Sequence, residues 1–340
     1  MTLQELDIYH TIFCGETQPV KELILLVLRE DFFRNYIYMK LLYLAKPIYG
    51  GWVTFTAHLS QMKKYDIIKI ARRSEKKPRN FGYGTTYINK TVDDAMDEEV
   101  IITALDKNYY SLLPYFYGNT IVIHDPTECK PQVLEHLHNY KVITIRKEVS
   151  KLLEGHLIDN TFLSHPYIMF EEDKDCKKTG AISLSRIDFD KNIDIILKAN
   201  DLLKEPVEIY GFPNDLYVYH KLRHLGFEKY YKGKFPKDEL AVRDLLKDKK
   251  FVVDMSSIHK DGGGSQYTFL EAINSGCCLV LNKKWVDGKE TKFEHMKNCI
   301  IVKDEIELSI MLELDPDVTS IVNNARELLE DHTGDAWDKV

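Results

Sequence analysis

The stretch Asp261-Gly262-Gly263-Gly264-Ser265-Gln266-Tyr267-Thr268-Phe269-Leu270-Glu271-Ala272 lies between an apolar run that ends at Met255 and another over residues 278–281. Three consecutive glycines let the backbone approach a ligand closely. The apolar spacing that follows predicts a helix, whose first turn offers free N–H groups and a positive dipole end to an anion. A phosphate-bearing ligand suits such a corner, and Glu271, further along the helix, can reach back toward sugar hydroxyls of the same ligand. The plainer alternative is a flexible glycine loop followed by a surface glutamate.

On both sides of this stretch, short apolar runs alternate with helical patterns. Residues 40–45, 66–70, 100–104, 120–124 and 141–145 read as strands, and the rhythm restarts at 180–184, 207–210, 230–232, 251–254, 278–281 and 299–302. Unbroken apolar strands separated by helices predict parallel sheets covered on both faces. A charged stretch, 171–178, separates the two series. The expected organisation is a largely helical extension over 1–38, one α/β domain over 39–172, a second over 173–318 and a C-terminal helix over 319–340. Asp215 is expected to cap a helix that carries Val218, Leu222 and Leu225 and stops at Gly226.

Composition agrees with two folded domains. The chain has 340 residues, of which 44% are hydrophobic and 11% aromatic, and domains run to about 150 residues each. Its longest aliphatic run, residues 23–28, is six residues long, far short of the roughly 20 that span a bilayer. Residues 1–12 lack the basic start and apolar stretch of a signal peptide, so a cytoplasmic protein without a transmembrane segment is expected. The six cysteines show no CxxC and no paired histidine spacing, which points to buried thiols and to no metal site. A net charge of -7 argues against coating nucleic acid by bulk charge.

Four further groups of residues carry chemistry. Arg186 and Lys191 follow the strand 180–184, where two fixed cations suit a diphosphate that gains negative charge as it leaves. His124 and Asp125 stand just past the strand 120–124, the end at which open α/β sheets gather ligands. Gly50-Gly51 opens a helix whose N–H groups can face phosphates. Residues 69–90 hold Lys69, Arg72, Arg73, Lys76, Lys77, Arg79 and Lys90 against Glu75 alone, a local charge of +6, so the rest of the chain carries -13. Phe81, Tyr83 and Tyr87 are interleaved with these cations, which suits phosphate neutralisation combined with base stacking. A solvated charged hairpin is the plain alternative.

Taken in succession along residues 39–340, these motifs resemble the GT-B glycosyltransferases of the retaining, family-four type. The resemblance rests on Gly50-Gly51, Ser185-Arg186 with Lys191, Tyr210-Gly211, Gly233-Lys234-Phe235, Ser256-Ser257 and the run Tyr267 to Gly276. Among them the chain is similar to bacteriophage DNA α-glycosyltransferases, through its basic loop after the second strand, its His-Asp and its Tyr-Thr-x-Leu-Glu helix start. The resemblance implies two Rossmann-like, doubly wound domains facing across a cleft. It implies transfer of a sugar from a nucleotide-sugar, of the UDP-sugar type, to a hydroxymethylated base in DNA, with no cofactor and with the host cytoplasm as the place of action.

Arg186, Lys191 and His124 would be the catalytic groups. Gly51, Gly211, Lys234, Gly263, Gly264, Ser265, Tyr267, Thr268 and Glu271 would bind the donor, with Lys234 near the base and Glu271 on the ribose. Arg72, Arg73, Lys76, Lys77, Arg79, Tyr83 and Asp125 would meet the DNA acceptor. One departure stands out: the family carries a second glutamate eight positions before Glu271, where this chain has Gly263, and Asp261 is the nearby carboxylate. A glycosyltransferase of surface-polysaccharide or lipid-linked glycan synthesis is the alternative, and a binding protein without catalysis is a third possibility.

Overall fold

The computed structural model describes residues 39–46, 50–171, 176–234 and 239–340. The extension expected over 1–38 and the expected domain junction at 172–173 lie outside the described residues. Two sheets form the frame. The first contains β1 (Lys40–Leu44), β2 (Asp66–Ile70), β3 (Arg79–Gly82), β4 (Thr85–Lys90), β5 (Val100–Leu105), β6 (Thr120–Ile123), β7 (Lys141–Thr144) and β8 (Asn160–Phe162), in the order β3-β4-β2-β1-β5-β6-β7-β8. Its pairs are parallel except β3 with β4. The second is parallel throughout: β9 (Thr179–Leu184), β10 (Glu208–Tyr210), β11 (Tyr231–Gly233), β12 (Lys249–Asp254), β13 (Cys278–Asn282) and β14 (Ile300–Val302), ordered β11-β10-β9-β12-β13-β14.

Both sheets are buried on both faces, which is why their strands read as unbroken apolar runs. Side chains still alternate between layers. In β1, Leu41 and Tyr43 point into one core and Leu42 and Leu44 into another. In β12, Val252 faces the same inner core as Leu41 and Tyr43, whereas Phe251 and Val253 face the far side of the second sheet. One inner core therefore runs from the first sheet to the second.

Five helices matter to the site: α1 (Gly51–Lys63), α2 (Lys147–Gly155), α3 (Ile193–Asn200), α4 (Tyr267–Asn274) and α5 (Thr319–Arg326). The direction of chain crossover reverses at β1, which lies between β2 and β5, and at β9, which lies between β10 and β12. Open sheets bind ligands outside the carboxyl ends of their strands at such reversals. The loops that follow β1, β5, β9 and β12 therefore mark the crevice.

The structure departs from expectation in four places. The basic segment is part of the sheet: β4 pairs parallel with β2, and β3 turns back along it as the sheet edge. Its rings do not form a stacking face, because Phe81 and Tyr87 are buried, Phe81 edge-on to Tyr43 at 5.0 Å. The helix expected to be capped by Asp215 is capped by Asn214, whose side chain accepts from the N–H groups of Leu216 and Tyr217. The C-terminal segment is α-helical only through Arg326 and continues as 3-10 turns over Glu327–His332 and Gly334–Lys339. That last stretch returns to the first domain, where Trp337 donates its indole N–H to Ser164 O at 3.0 Å and packs on Phe55, and where Asp338 pairs with Lys63. Cys277, Cys278 and Cys299 are buried, as expected of thiols, while Cys129 and Cys176 are only partly so.

The close approach of the loops after β9 and β10 depends on Gly211. A Cβ at this position would lie 1.8 Å from the carbonyl oxygen of Ser185 and 3.1 Å from Ile187 Cγ1. Gly211→Ala is expected to destabilise the fold by about 1–3 kcal/mol or more. Gly155→Ala, where a Cβ meets nothing within 4 Å, should be neutral or slightly stabilising. Thermal unfolding of the two variants checks the contrast.

Candidate active site

The loop after β9 carries the two expected cations, and the structure treats them differently. Lys191 is buried, donating to Ser256 Oγ at 2.8 Å and to Gln266 Oε1 at 2.7 Å, with Asp254 Oδ2 at 4.0 Å. Burial lowers the pKa of its ammonium, and the neighbouring Asp254 opposes that shift. Arg186 is half exposed and rests against Asp188 at 3.2 Å and Asp190 at 3.3 Å. Lys191 thus fixes the loops after β9 and β12 to each other, and Arg186 faces outward.

The glycine loop is held by its own chain. A Cβ at Gly262 would meet Trp285 O at 2.6 Å, and one at Gly263 would meet Glu290 O at 2.8 Å. The Gly263 N–H donates to Trp285 O, and the Trp285 indole donates to Gly264 O at 3.0 Å. Gly264 has open space beyond its Cα, with Arg146 Cγ the nearest atom at 4.0 Å. Ser265 and Thr268 are partly exposed, whereas Tyr267 and Glu271 are buried. The Tyr267 hydroxyl donates to Pro166 O at 3.0 Å, and its ring stacks on His58 with centroids 5.3 Å apart. Lys234 is exposed, with its ammonium 5.3 Å from the Phe212 ring centroid.

On the first domain, Gly50 and Gly51 open α1 with nothing within 4 Å of either built Cβ. His124 follows β6 and is buried, its Nε2 2.9 Å from Thr103 O. A carbonyl only accepts, so Nε2 carries a hydrogen. Burial pulls the His124 pKa down to about 4. Asp125 turns away to cap the following 3-10 turn through the N–H of Thr127. The carboxylate beside His124 is Glu128, which accepts from the Trp52 indole at 2.7 Å and from the His124 N–H at 3.0 Å. Burial pushes Glu128 well above the ordinary carboxylate range, and these two donors only partly offset it.

Arg146, absent from the expected set, joins the two walls. Its Nε donates to His124 O at 3.1 Å, its guanidinium lies 5.5 Å from the Trp285 ring centroid, and Nη1 is 3.2 Å from Asp261 Oδ2. Neither Nη1 nor Asp261 Oδ2 completes a hydrogen bond, so the contact is an ion pair and not a bidentate clasp. Burial raises the Asp261 pKa against the pull of Arg146. The signal for Arg146 was present in the sequence: it follows the apolar run 141–145 just as His124 follows 120–124. His332 is a second addition, 3.1 Å from Ser265 Oγ, and no local pattern announces it.

The basic residues expected to meet the acceptor lie past β2, on the same carboxyl edge as Gly51 because β2 runs parallel to β1. Arg72, Arg73, Lys76 and Lys77 are exposed and form no ion pair among the described residues. Arg79 is bound through two contacts to Glu75, at 2.7 and 2.5 Å. Lys69 is buried beneath Tyr43 and Tyr87, and burial lowers it to about 8. Tyr83 sits at the hairpin tip, where its hydroxyl accepts from Thr54 Oγ1 at 3.1 Å.

No family model matches the chain, and no curated protein matches it. Solved structures do. Anabaena Alr3699/HepE in complex with UDP and glucose superposes with a TM-score of 0.66 at 13% identity, over 87% of this chain and 96% of its own. An alpha-glucosyltransferase in complex with UDP-glucose and DNA containing an abasic site superposes at 0.67 and 12%, over 89% and 98%. The alpha-glucosyltransferase with UDP and a 13-mer DNA containing a HMU base gives 0.65 and 12%, over the same shares. The chain has the GT-B fold. In this GT-B chain no helix among the described residues is long and apolar enough to cross a membrane.

The cleft of the GT-B chain is rich in neutral imidazoles, which gives stability a defined pH dependence. Burial lowers His58 and His124 to about 4 and His165 well below its ordinary value. The unfolded chain binds protons on these rings near pH 6.5 and the folded chain does not. Their contribution is therefore complete above pH 6.5 and is lost as pH falls toward 4. Glu128 and Asp261, both raised by burial, act in the opposite sense. The difference between wild type and His58→Phe isolates one imidazole: chemical denaturation should show the wild type losing about 3 kcal/mol more than the variant between pH 7 and 4. Parallel pH profiles would contradict the assignment of a neutral, buried His58.

Proposed function

We propose that this protein is a retaining glycosyltransferase that moves a sugar from a UDP-sugar to a hydroxymethylated base in DNA. The observation that carries the reading is the crevice at the carboxyl ends of both sheets. There Arg146 ties the His124 wall to the glycine loop, which supports a donor side and an acceptor side facing one another. The complexes of the solved GT-B neighbours with UDP, UDP-glucose and DNA support the same substrates.

In this reading the bond from sugar C1 to the diphosphate oxygen breaks, and a bond from C1 to the acceptor oxygen forms on the same face. The acceptor's proton goes to the departing phosphate. The state of His124 fits that route, since a ring lowered to about 4 and donating through Nε2 to Thr103 O orients groups more readily than it gains a proton there. Arg186, half exposed and paired with Asp188 and Asp190, is the cation that would exchange these carboxylates for the leaving diphosphate. Lys191 holds the loops that frame it, and Glu271 takes the ribose. Arg72, Arg73, Lys76 and Lys77, exposed and outside any ion pair among the described residues, meet DNA phosphates, with Tyr83 beside them.

The primary test incubates the protein with hydroxymethylcytosine DNA, hydroxymethyluracil DNA and a panel of UDP-sugars, followed by nucleoside mass spectrometry. A glycosylated nucleoside is expected; transfer to a lipid or glycan acceptor without DNA binding would favour the surface-glycan alternative. Arg186→Ala should lower turnover roughly 100-fold with an unchanged melting temperature. Lys191→Ala should lower both, because it strands the buried Asp254 and Gln266. Near-wild-type turnover in Arg186→Ala would remove it from the donor site.

Salt dependence separates the acceptor cations. Duplex affinity should fall with salt at a slope of about -0.9 per phosphate contact. Replacing Arg72, Arg73, Lys76 and Lys77 by Ser should make the slope clearly shallower and leave donor hydrolysis intact. Arg79→Ser should change it little, because Glu75 already neutralises that guanidinium. Equal slopes in the quadruple variant and the wild type would contradict the assignment.

A further inference from the structure

Ser265 leaves the glycine loop immediately before Gln266, which occupies the N-terminal boundary position of α4. Its hydroxyl oxygen lies 3.1 Å from Nε2 of His332, and Nδ1 of the same ring lies 2.8 Å from the carbonyl oxygen of His165. The carbonyl can only accept, so Nδ1 carries the hydrogen. Burial favours the neutral ring over the pull of the His165 carbonyl and Asp331, and in that form, with the hydrogen on Nδ1, Nε2 holds a lone pair. Against that neutral ring the Ser265 hydroxyl is the donor of the 3.1 Å contact.

A hydroxyl has one hydrogen and two lone pairs. With its hydrogen directed inward to a buried ring, partly exposed Ser265 presents acceptor capacity alone to the cleft. A phosphate oxygen arriving there would set lone pair against lone pair, whereas a sugar hydroxyl would find an acceptor. The open space beyond Gly264, bordered by Arg146, leaves room for such a group beside the loop. Arg146 has the opposite polarity: its buried Nη1 lacks a hydrogen-bond partner and is a donor.

We propose that Ser265 accepts a hydrogen bond from a hydroxyl of the donor sugar, and that His332 is the positioning residue that fixes this polarity. The inference rests on the glycosyltransferase reading and adds how the sugar is recognised in a loop that has Gly263 where a carboxylate would otherwise stand. It assigns a task to the C-terminal segment, which delivers His332 from 67 residues away in sequence.

Calorimetric titration of the full chain with UDP and with UDP-glucose, UDP-galactose and UDP-N-acetylglucosamine tests it. Ser265→Ala should weaken the tightest-binding UDP-sugar by about three- to tenfold, the worth of one neutral hydrogen bond, and leave UDP affinity within about twofold. Ser265→Thr, which keeps the hydroxyl, should bind like the wild type. His332→Phe should show the same split between UDP-sugar and UDP although Ser265 is intact. Should that variant fail to fold, donors lacking one sugar hydroxyl replace it: for one of them the Ser265→Ala effect should vanish. Equal weakening of UDP and UDP-sugar, or a sugar–protein adduct at Ser265 in intact-mass spectra, would overturn the inference while the transferase reading stands. A wild-type chain that binds neither UDP nor any UDP-sugar would overturn the transferase reading, and the inference with it.

Discussion

The buried pair of Arg146 and Asp261 is the constraint on which the cleft depends. Asp261 begins the glycine loop of the second domain, and Arg146 stands two residues past β7 of the first, at the start of α2. Asp261 is almost fully removed from water, and a carboxylate in that position without a cation costs several kcal/mol. The guanidinium is fixed in turn by His124 O and by the face of Trp285, whose indole and carbonyl groups hold the glycine loop. Its geometry thus sets how far the glycine loop lies from His124. The inner core and the returning C-terminal segment bind the domains together more broadly, through Tyr267 on His58 and Trp337 on Phe55. These contacts are apolar or neutral and fix proximity, whereas the ion pair fixes which atoms face each other.

The frame was legible in the sequence because parallel strands buried on both faces leave unbroken apolar runs, and eleven such runs matched strands of the two sheets. Strands β3 and β4 were hidden because charge and glycine dominate residues 71–84, and the period-two burial of Phe81 and Tyr87 is short. The same density of cations made those two rings look like a stacking face, when they are inward-facing strand residues. His124 and Arg146 obey one rule, a polar residue just past a strand's carboxyl end, and the rule was applied to the first alone. Glu128, His165 and His332 owe their places to partners far away in sequence, as with His332 and His165 O across 167 positions. No local period encodes such a pair.

Charge counting shows the same limit in another form. The +6 of residues 69–90 suggests a uniform basic face. In the fold Arg79 is neutralised by Glu75, Lys69 is buried between tyrosines, and Lys90 pairs with Glu98. Four exposed cations remain without an ion pair among the described residues, all in the loop between β2 and β3. The field offered to a polyanion is smaller than the sequence count and more sharply placed. A partner would therefore be held at one edge of the cleft, not along the whole hairpin.

The cleft also constrains the chemistry through what its imidazoles are not. His58, His124, His165 and His332 are all held neutral by burial, and three of them have a ring nitrogen committed to a backbone group: His58 to Ile168 N–H, His124 to Thr103 O and His332 to His165 O. A general base works best with a pKa near the working pH and a free nitrogen facing the proton, and the bonded nitrogens offer neither. A reaction that passes a proton from an acceptor hydroxyl to a departing phosphate needs no such base. It needs a substrate held in register and cations near the leaving group. The neutral rings fix the walls of the cleft, and Arg186 lies in the loop after β9 beside Asp188 and Asp190. For the transfer proposed above, rings fixed in this way fit a route in which the donor's own phosphate accepts the proton.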